Sequence, residues 1–164
     1  QGVEQEGEKT MGKIVIVGSG PAGCSAALYA ARAGQEVVVI SMGMGALSKA
    51  ELIQNYYGFE EGITGAELYR QGVAGAKAVG AEFITAEVVG LDYTGSLVVQ
   101  TTEGDYPADA VILAVPAGPH VGKQLEAVLE YLAAQDCTID GALLWNADEK
   151  LIRRYYFLPG GTQE

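Results

Sequence analysis

Between Val17 and Cys24 the chain reads G-S-G-P-A-G, which places Gly18, Gly20 and Gly23 in the spacing G-x-G-x-x-G. The chemistry this spacing serves is the binding of a pyrophosphate. The first glycine permits a tight turn, the second lets backbone N–H groups approach the anion, and the third allows a helix to pack closely on a strand. The anion would rest at the helix N-terminus, where unpaired N–H groups and the macrodipole favour negative charge. Pro21 suits the first helical turn, where its missing N–H costs nothing. The competing reading is a glycine-tight turn used for packing alone. An acidic residue about 20 positions further on, at the end of the second strand, normally hydrogen-bonds the ribose. Ser41 stands there instead. A serine can hydrogen-bond a ribose, but its presence disfavours a simple NAD site, and no arginine follows at once to hold the 2′-phosphate of NADP.

Little else in the chain has the spacing of a reactive centre. The two cysteines, Cys24 and Cys137, form no C-x-x-C, and His120 is the single histidine, so neither a metal site nor a catalytic triad is expected. Cys24 falls in the first turn after the glycines, where a helix N-terminus could lower a thiol pKa. Packing is the expected role for Cys24, as it is for Cys137. Tyr56 and Tyr57 read equally as flanks of a flat ring or as anchors of their loop. Trp145, Tyr155, Tyr156 and Phe157 form an aromatic cluster that reads as core ahead of interface, and Asp148, Glu149, Arg153 and Arg154 read as a solvated helix face. No side chain is expected to be catalytic in its own right.

The elements that position the glycines are legible in the pattern. "KIVIVG" and "EVVVIS" are apolar runs of the kind buried on both faces of a parallel sheet, and "PAGCSAALYAARAG" is a run of helix formers ending at Gly34, a natural C-cap. Together they make a β-α-β unit with a right-handed crossover. The stretch "MGMGALSKAELIQNYYGFEEGIT" reads as an ordered loop with a helical turn at Lys49 to Ile53. Thr64 and Glu67 have the spacing of a capping box, opening a helix with Leu68, Val73, Ala76 and Val79 on one face, although Gly72 and Gly75 weaken it. Next come three strands with turns at Thr94-Gly95 and Glu103-Gly104, then a buried run from Ala110 to Val115 that returns as a central strand. The expected fold class is α/β: a Rossmann-like parallel sheet with a β-α-β glycine turn and a small antiparallel β-meander.

With 164 residues, 49% hydrophobic and 19% charged, the chain has the composition of one globular domain, expected over residues 11–164. Residues 1–10 read as a loose, disordered tail or cloning remnant ahead of Met11, without the apolar core of a signal peptide. A formal charge of −11 argues against nucleic acid or anionic lipid as partner, and no apolar run reaches the roughly 20 residues of a membrane span. The expected location is cytoplasmic.

The runs "IVIVGSGPAGCSAALYAARAG", "GALSKAELIQNYYGFEEGITGAEL", "GAEFITAEVVGLD" and "ADAVILAV" resemble, in order and spacing, the N-terminal flavin-binding segment of the thioredoxin reductase family of pyridine nucleotide-disulfide oxidoreductases. The resemblance covers Lys13 to Val115. It implies FAD as cofactor, with the pyrophosphate on Gly18, Ser19, Gly20, Pro21 and Ala22 and with Gly23 packing behind them. It further implies Ser41 at the second-strand end, Ala46 and Leu47 in the loop lining the flavin, Asn55 near the isoalloxazine, Val88 as a backbone contact to adenine, and Ala114 at the end of the last matching strand. In that family a pyridine-nucleotide domain carrying C-x-x-C follows, and then a G-D-containing return segment. This chain has no second G-x-G-x-x-G and no C-x-x-C, and it reads Ala114-Val115-Pro116 where the family usually reads A-T-G.

Residues 116–164 match nothing in the family pattern and are expected to form a helix, strand, helix closing unit. The leading expectation is a minimal FAD-binding, thioredoxin reductase-like oxidoreductase without its own pyridine-nucleotide domain. The alternative is a non-catalytic nucleotide-binding or assembly subunit with a degenerate flavin site. Either suggests association, as a homodimer or with a partner redox subunit.

Overall fold

The computed structural model describes residues 12–93, 95–115, 134, 142–145 and 151–155. Strand β1 (Lys13–Val17) leads through the glycine turn into helix α1 (Pro21–Arg32), which returns to strand β2 (Glu36–Ser41). The helix ends where the sequence marks it: Ala33 is the C-cap, and Gly34 follows with φ of +79°. Helix α2 (Gly65–Ala78) then feeds β3 (Glu82–Thr85). The chain continues through β4 (Val88–Tyr93), β5 (Leu97–Thr101), β6 (Gly104–Ala108) and β7 (Ala110–Leu113).

Four strands form a parallel sheet in the order β3-β2-β1-β7, with Val15 between Val38 and Val111, while β4, β5 and β6 form an antiparallel meander. Alternation along the strands divides the core into two layers. Val15, Val17, Val38 and Ile40 face Ala86, Val99 and Ala108 of the meander side. Ile16, Val37 and Val39 face Ala27 of α1 and Ala76 of α2. The sheet is therefore covered on both faces, as parallel strands of this composition require. The α/β fold with parallel sheet, glycine turn and small meander is the one the sequence predicts.

Several local expectations need correction. The run predicted as the first meander strand divides at Ala86-Glu87: β3 joins the parallel sheet and β4 joins the meander. Strand β7 lies at the edge of the sheet among the described residues rather than at its centre. The helical turn in the long loop is a 3-10 turn at Gly45–Lys49, one turn earlier than predicted. There the Leu47 N–H donates to the Met44 carbonyl and the Ala50 N–H to the Leu47 carbonyl. The capping box is half made. Thr64 accepts from the Glu67 N–H at 3.2 Å, but the Glu67 carboxylate bonds Arg70 and Gln71 instead of reaching back. Gly72 and Gly75 do not interrupt α2, because they let it lie close to Cys24 and Leu28 of α1.

At the C-terminal end, β8 (Ala142–Trp145) pairs antiparallel with β9 (Leu151–Tyr155), where a final helix is predicted. The β-branched and aromatic content of that run and a partner strand in reach outweigh the i,i+4 charge pattern. The predicted helix at 123–135, except for Ala134, lies outside the described residues, as do Cys137, His120, Asp148, Glu149, Tyr156 and Phe157.

Candidate functional site

The three glycines of the turn do different work. Gly18 has φ of +106°, and a Cβ there would run into the Ala114 carbonyl at the end of β7. A Cβ on Gly23 would strike the Gly18 carbonyl, so α1 presses directly on the turn. Gly20 differs: nothing lies within 4 Å of where its Cβ would be. That space belongs to a cleft of about 530 Å³, within the roughly 300–1,000 Å³ of small-molecule sites.

Gly20 is also the N-cap of α1. It offers no side-chain cap, and no acidic residue occupies the first turn, so the positive end of the helix dipole is left uncompensated beside the cleft. The Gly18 N–H is held by the Ile40 carbonyl at 2.9 Å and the Ala114 N–H by the Val17 carbonyl at 2.8 Å, which fixes the turn between β2 and β7.

Ten of the residues singled out in the sequence line this one cleft: Gly18, Ser19, Gly20, Pro21 and Ala22 of the turn, Ser41 at the end of β2, Ala46 and Leu47 in the 3-10 turn, Val88 opening β4, and Ala114 after β7. Gly23 is buried behind the turn, and Asn55 is exposed and outside the cleft lining. Asn55 lies on a loop closed by the paired Ile53 and Ile63. In the same loop the Tyr56 ring packs at 6.1 Å from Phe59, while Tyr57 is 99% exposed.

Sequence reasoning missed Met42, Gly43, Met44, Gly45 and Glu87, which also line the cleft. The M-G-M-G run was a usable signal, since Gly43 and Gly45 both take positive φ and turn the chain along the rim. Glu87 carried no signal, because the split between β3 and β4 that brings it to the cleft is a tertiary event.

Polar groups behind the turn form a compact cluster. Ser19 is buried, its Oγ 2.7 Å from Ser41 Oγ and 3.4 Å from the Tyr69 hydroxyl, and it donates to the Gly43 carbonyl at 3.2 Å. Cys24 donates its S–H to the Ser19 carbonyl at 3.2 Å. Burial pushes the Cys24 thiol up from its ordinary pKa, the reverse of activation by a helix N-terminus. A second, smaller hollow of about 130 Å³ lies between the helices beside Cys24, Leu68 and Gly72. No cluster of metal-ligating side chains occurs among the described residues, and no helix among them is long and apolar enough to cross a membrane.

A parallel α/β sheet with an open glycine turn at the N-terminus of its first helix is a fold of the Rossmann type. The family model for pyridine nucleotide-disulphide oxidoreductases matches residues 12–153, past Val115 where the resemblance read from the sequence stops, and the chain belongs to that family. Its relatives are thioredoxin reductases. It is 44% identical over 112 residues to the bifunctional thioredoxin reductase/thioredoxin of Mycobacterium leprae, a match covering 65% of this chain and 24% of that protein. It is 36% identical over 145 residues to the thioredoxin reductase of Mycolicibacterium smegmatis, covering 85% of this chain and 47% of that one. The solved thioredoxin reductase from Gloeobacter violaceus superposes with a TM-score of 0.62 at 35% identity, over 67% of this chain and 38% of that one. The chain thus spans a quarter to a half of the length of these relatives.

Proposed function

We propose that this chain holds FAD as the flavin-binding part of a thioredoxin reductase-like oxidoreductase. The observation that carries the reading is the cleft at Gly20, which gathers ten of the residues that the family resemblance assigns to flavin binding. The fit is chemical as well as spatial. The open position at Gly20 and the uncapped start of α1 suit a pyrophosphate, and the apolar rim of Met42, Met44, Leu47, Val88 and Val115 suits adenine and a flat ring. Bound there, FAD supplies the redox chemistry, and the residues of this chain bind and orient it.

In this reading Ala46 and Leu47 flank the flavin, and Val88 offers its backbone to the adenine. Asn55 comes beside the isoalloxazine only if its exposed loop closes toward the cleft. The reducing equivalents come from a separate reductant or a partner chain, with the protein working in the cytoplasm as a homodimer or beside a redox subunit. A second reading, a nucleotide-binding subunit without turnover, is favoured by the position of Asn55 outside the cleft lining.

The test is a visible absorption spectrum of the purified protein before and after addition of FAD and removal of the excess. A flavin band that stays with the protein is expected, and its reduction by NADH, NADPH or a partner then separates the two readings. A colourless protein that takes up no FAD overturns the proposal.

A further inference from the structure

The ribose acceptor that a Rossmann site normally carries at the end of its second strand is missing at Ser41, and the structure shows that Ser41 is already engaged. The Ser19 hydroxyl stands 3.2 Å from the Gly43 carbonyl and 3.4 Å from the Tyr69 hydroxyl, both within reach of its hydrogen. Ser19 Oγ and Ser41 Oγ also share a 2.7 Å bond in which either hydroxyl can be the donor. Ser41 Oγ also accepts from the Gly43 N–H at 3.3 Å. Its hydroxyl is thus held by two partners of the turn, Ser19 and Gly43.

A different acceptor stands in the link that follows the neighbouring strand β3. Ser41 is in register with Thr85, and the Ala86 N–H donates to the Ser41 carbonyl at 3.3 Å, so Glu87 follows two residues beyond the level of the end of β2. Its backbone is fixed on both sides by Thr102: the Glu87 N–H donates to Thr102 Oγ1 at 3.3 Å, and the Thr102 N–H donates to the Glu87 carbonyl at 3.0 Å. Glu87 is the one ionisable side chain among the described residues lining the cleft, and none of them is Lys or Arg.

We propose that Glu87 determines which adenine nucleotide the cleft accepts, its carboxylate receiving hydrogen bonds from the hydroxyls of an unphosphorylated adenosine ribose. This rests on the FAD reading above. A carboxylate accepts from neutral hydroxyls and repels a phosphate in the same place. A 2′-phosphate would meet that repulsion with no lining cation to offset it. The pyrophosphate, further along the cleft, is held by backbone N–H groups and the α1 dipole, which Glu87 does not supply.

The experiment uses the purified chain freed of flavin. FAD affinity is measured by quenching of flavin fluorescence, with displacement by ADP and by ADP carrying a 2′-phosphate, for the wild type and for Glu87→Gln and Glu87→Arg. The wild type is expected to prefer ADP at least about tenfold. Glu87→Gln is expected to weaken FAD and ADP roughly fivefold and to narrow the preference, and Glu87→Arg to reverse it. Glu87 is exposed, and unchanged melting temperatures will show that the variants are folded. A folded Glu87→Gln protein with wild-type affinities and preference overturns the inference and leaves the FAD reading standing. A wild type that binds neither FAD nor ADP overturns both.

Discussion

The carbonyl oxygen of Gly18 occupies the space that a Cβ on Gly23 would need. The two glycines therefore form one packing unit in which the turn and the first turn of α1 touch backbone to backbone. Gly23→Ala forces them apart and is expected to cost about 3 kcal/mol, a drop in melting temperature on the order of 10 °C. A melting curve within 2 °C of wild type would show that the turn relaxes freely and that the contact is not a constraint.

Gly20→Val probes the opposite property. Gly20 has φ of −68°, which valine adopts readily, and its side chain would enter the open cleft. Losing glycine at the N-cap costs about 1 kcal/mol, while FAD affinity is expected to fall roughly a hundredfold. Fluorescence titration beside a melting curve distinguishes this from the Gly23 variant, which loses stability first.

The glycines of α2 should respond differently from each other. A Cβ at Gly75 would come no closer than 3.9 Å to Leu28, so Gly75→Ala should gain about 0.5–1 kcal/mol from helix propensity. At Gly72 it would meet Cβ and Sγ of Cys24 at 3.4 Å, and Gly72→Ala is expected to gain less. Denaturant midpoints of the two variants order them, and a Gly72→Ala protein at least as stable as Gly75→Ala would contradict the tight crossing.

Glu67 gives a pH signature. Hydrogen bonds from Arg70 and Gln71 lower its pKa from 4.5 to about 2. A lowered carboxylate pKa contributes stability that is fully present above about 4.5 and is lost as pH falls through about 2. The stability advantage of wild type over Glu67→Gln should therefore shrink between these values. Both side chains are exposed, so the advantage is small and should shrink further in 1 M salt. A difference that stays constant from pH 5 to pH 2 would dismiss the pair as a contributor.

The sequence was most informative where local pattern and tertiary structure agree. The apolar runs of β1 and β2, the glycine spacing between them, and Thr64 before α2 all state their structure within a few residues, and ten cleft residues could be named from them and from the family resemblance. The failures lie where long-range pairing decides. Nothing between Glu82 and Tyr93 marks the point at which the chain leaves one sheet for another, because both halves are ordinary strand sequence. Leu151–Tyr155 carries helical charge spacing, yet it pairs with Ala142–Trp145. Glu87 stayed hidden for the same reason: its importance depends on Ser41 being engaged and on Thr102 pinning it, and neither is a property of neighbouring residues.

Lys13 and Asp109, 96 positions apart, clasp each other: the Lys13 N–H donates to the Asp109 carboxylate at 2.7 Å. That clasp starts the register that brings Ala114 against Gly18, so the cleft is walled by residues from opposite ends of a long stretch of chain. A ribosome adding roughly 5–20 residues per second releases the whole glycine motif several seconds before the strand that completes its wall. Ile14 and Ala110 must then find each other across the intervening chain, the kind of distant pairing that slows folding. Binding competence is accordingly a late event in the life of the molecule, and the moment of nucleotide capture would serve as a clock for the closing of the sheet.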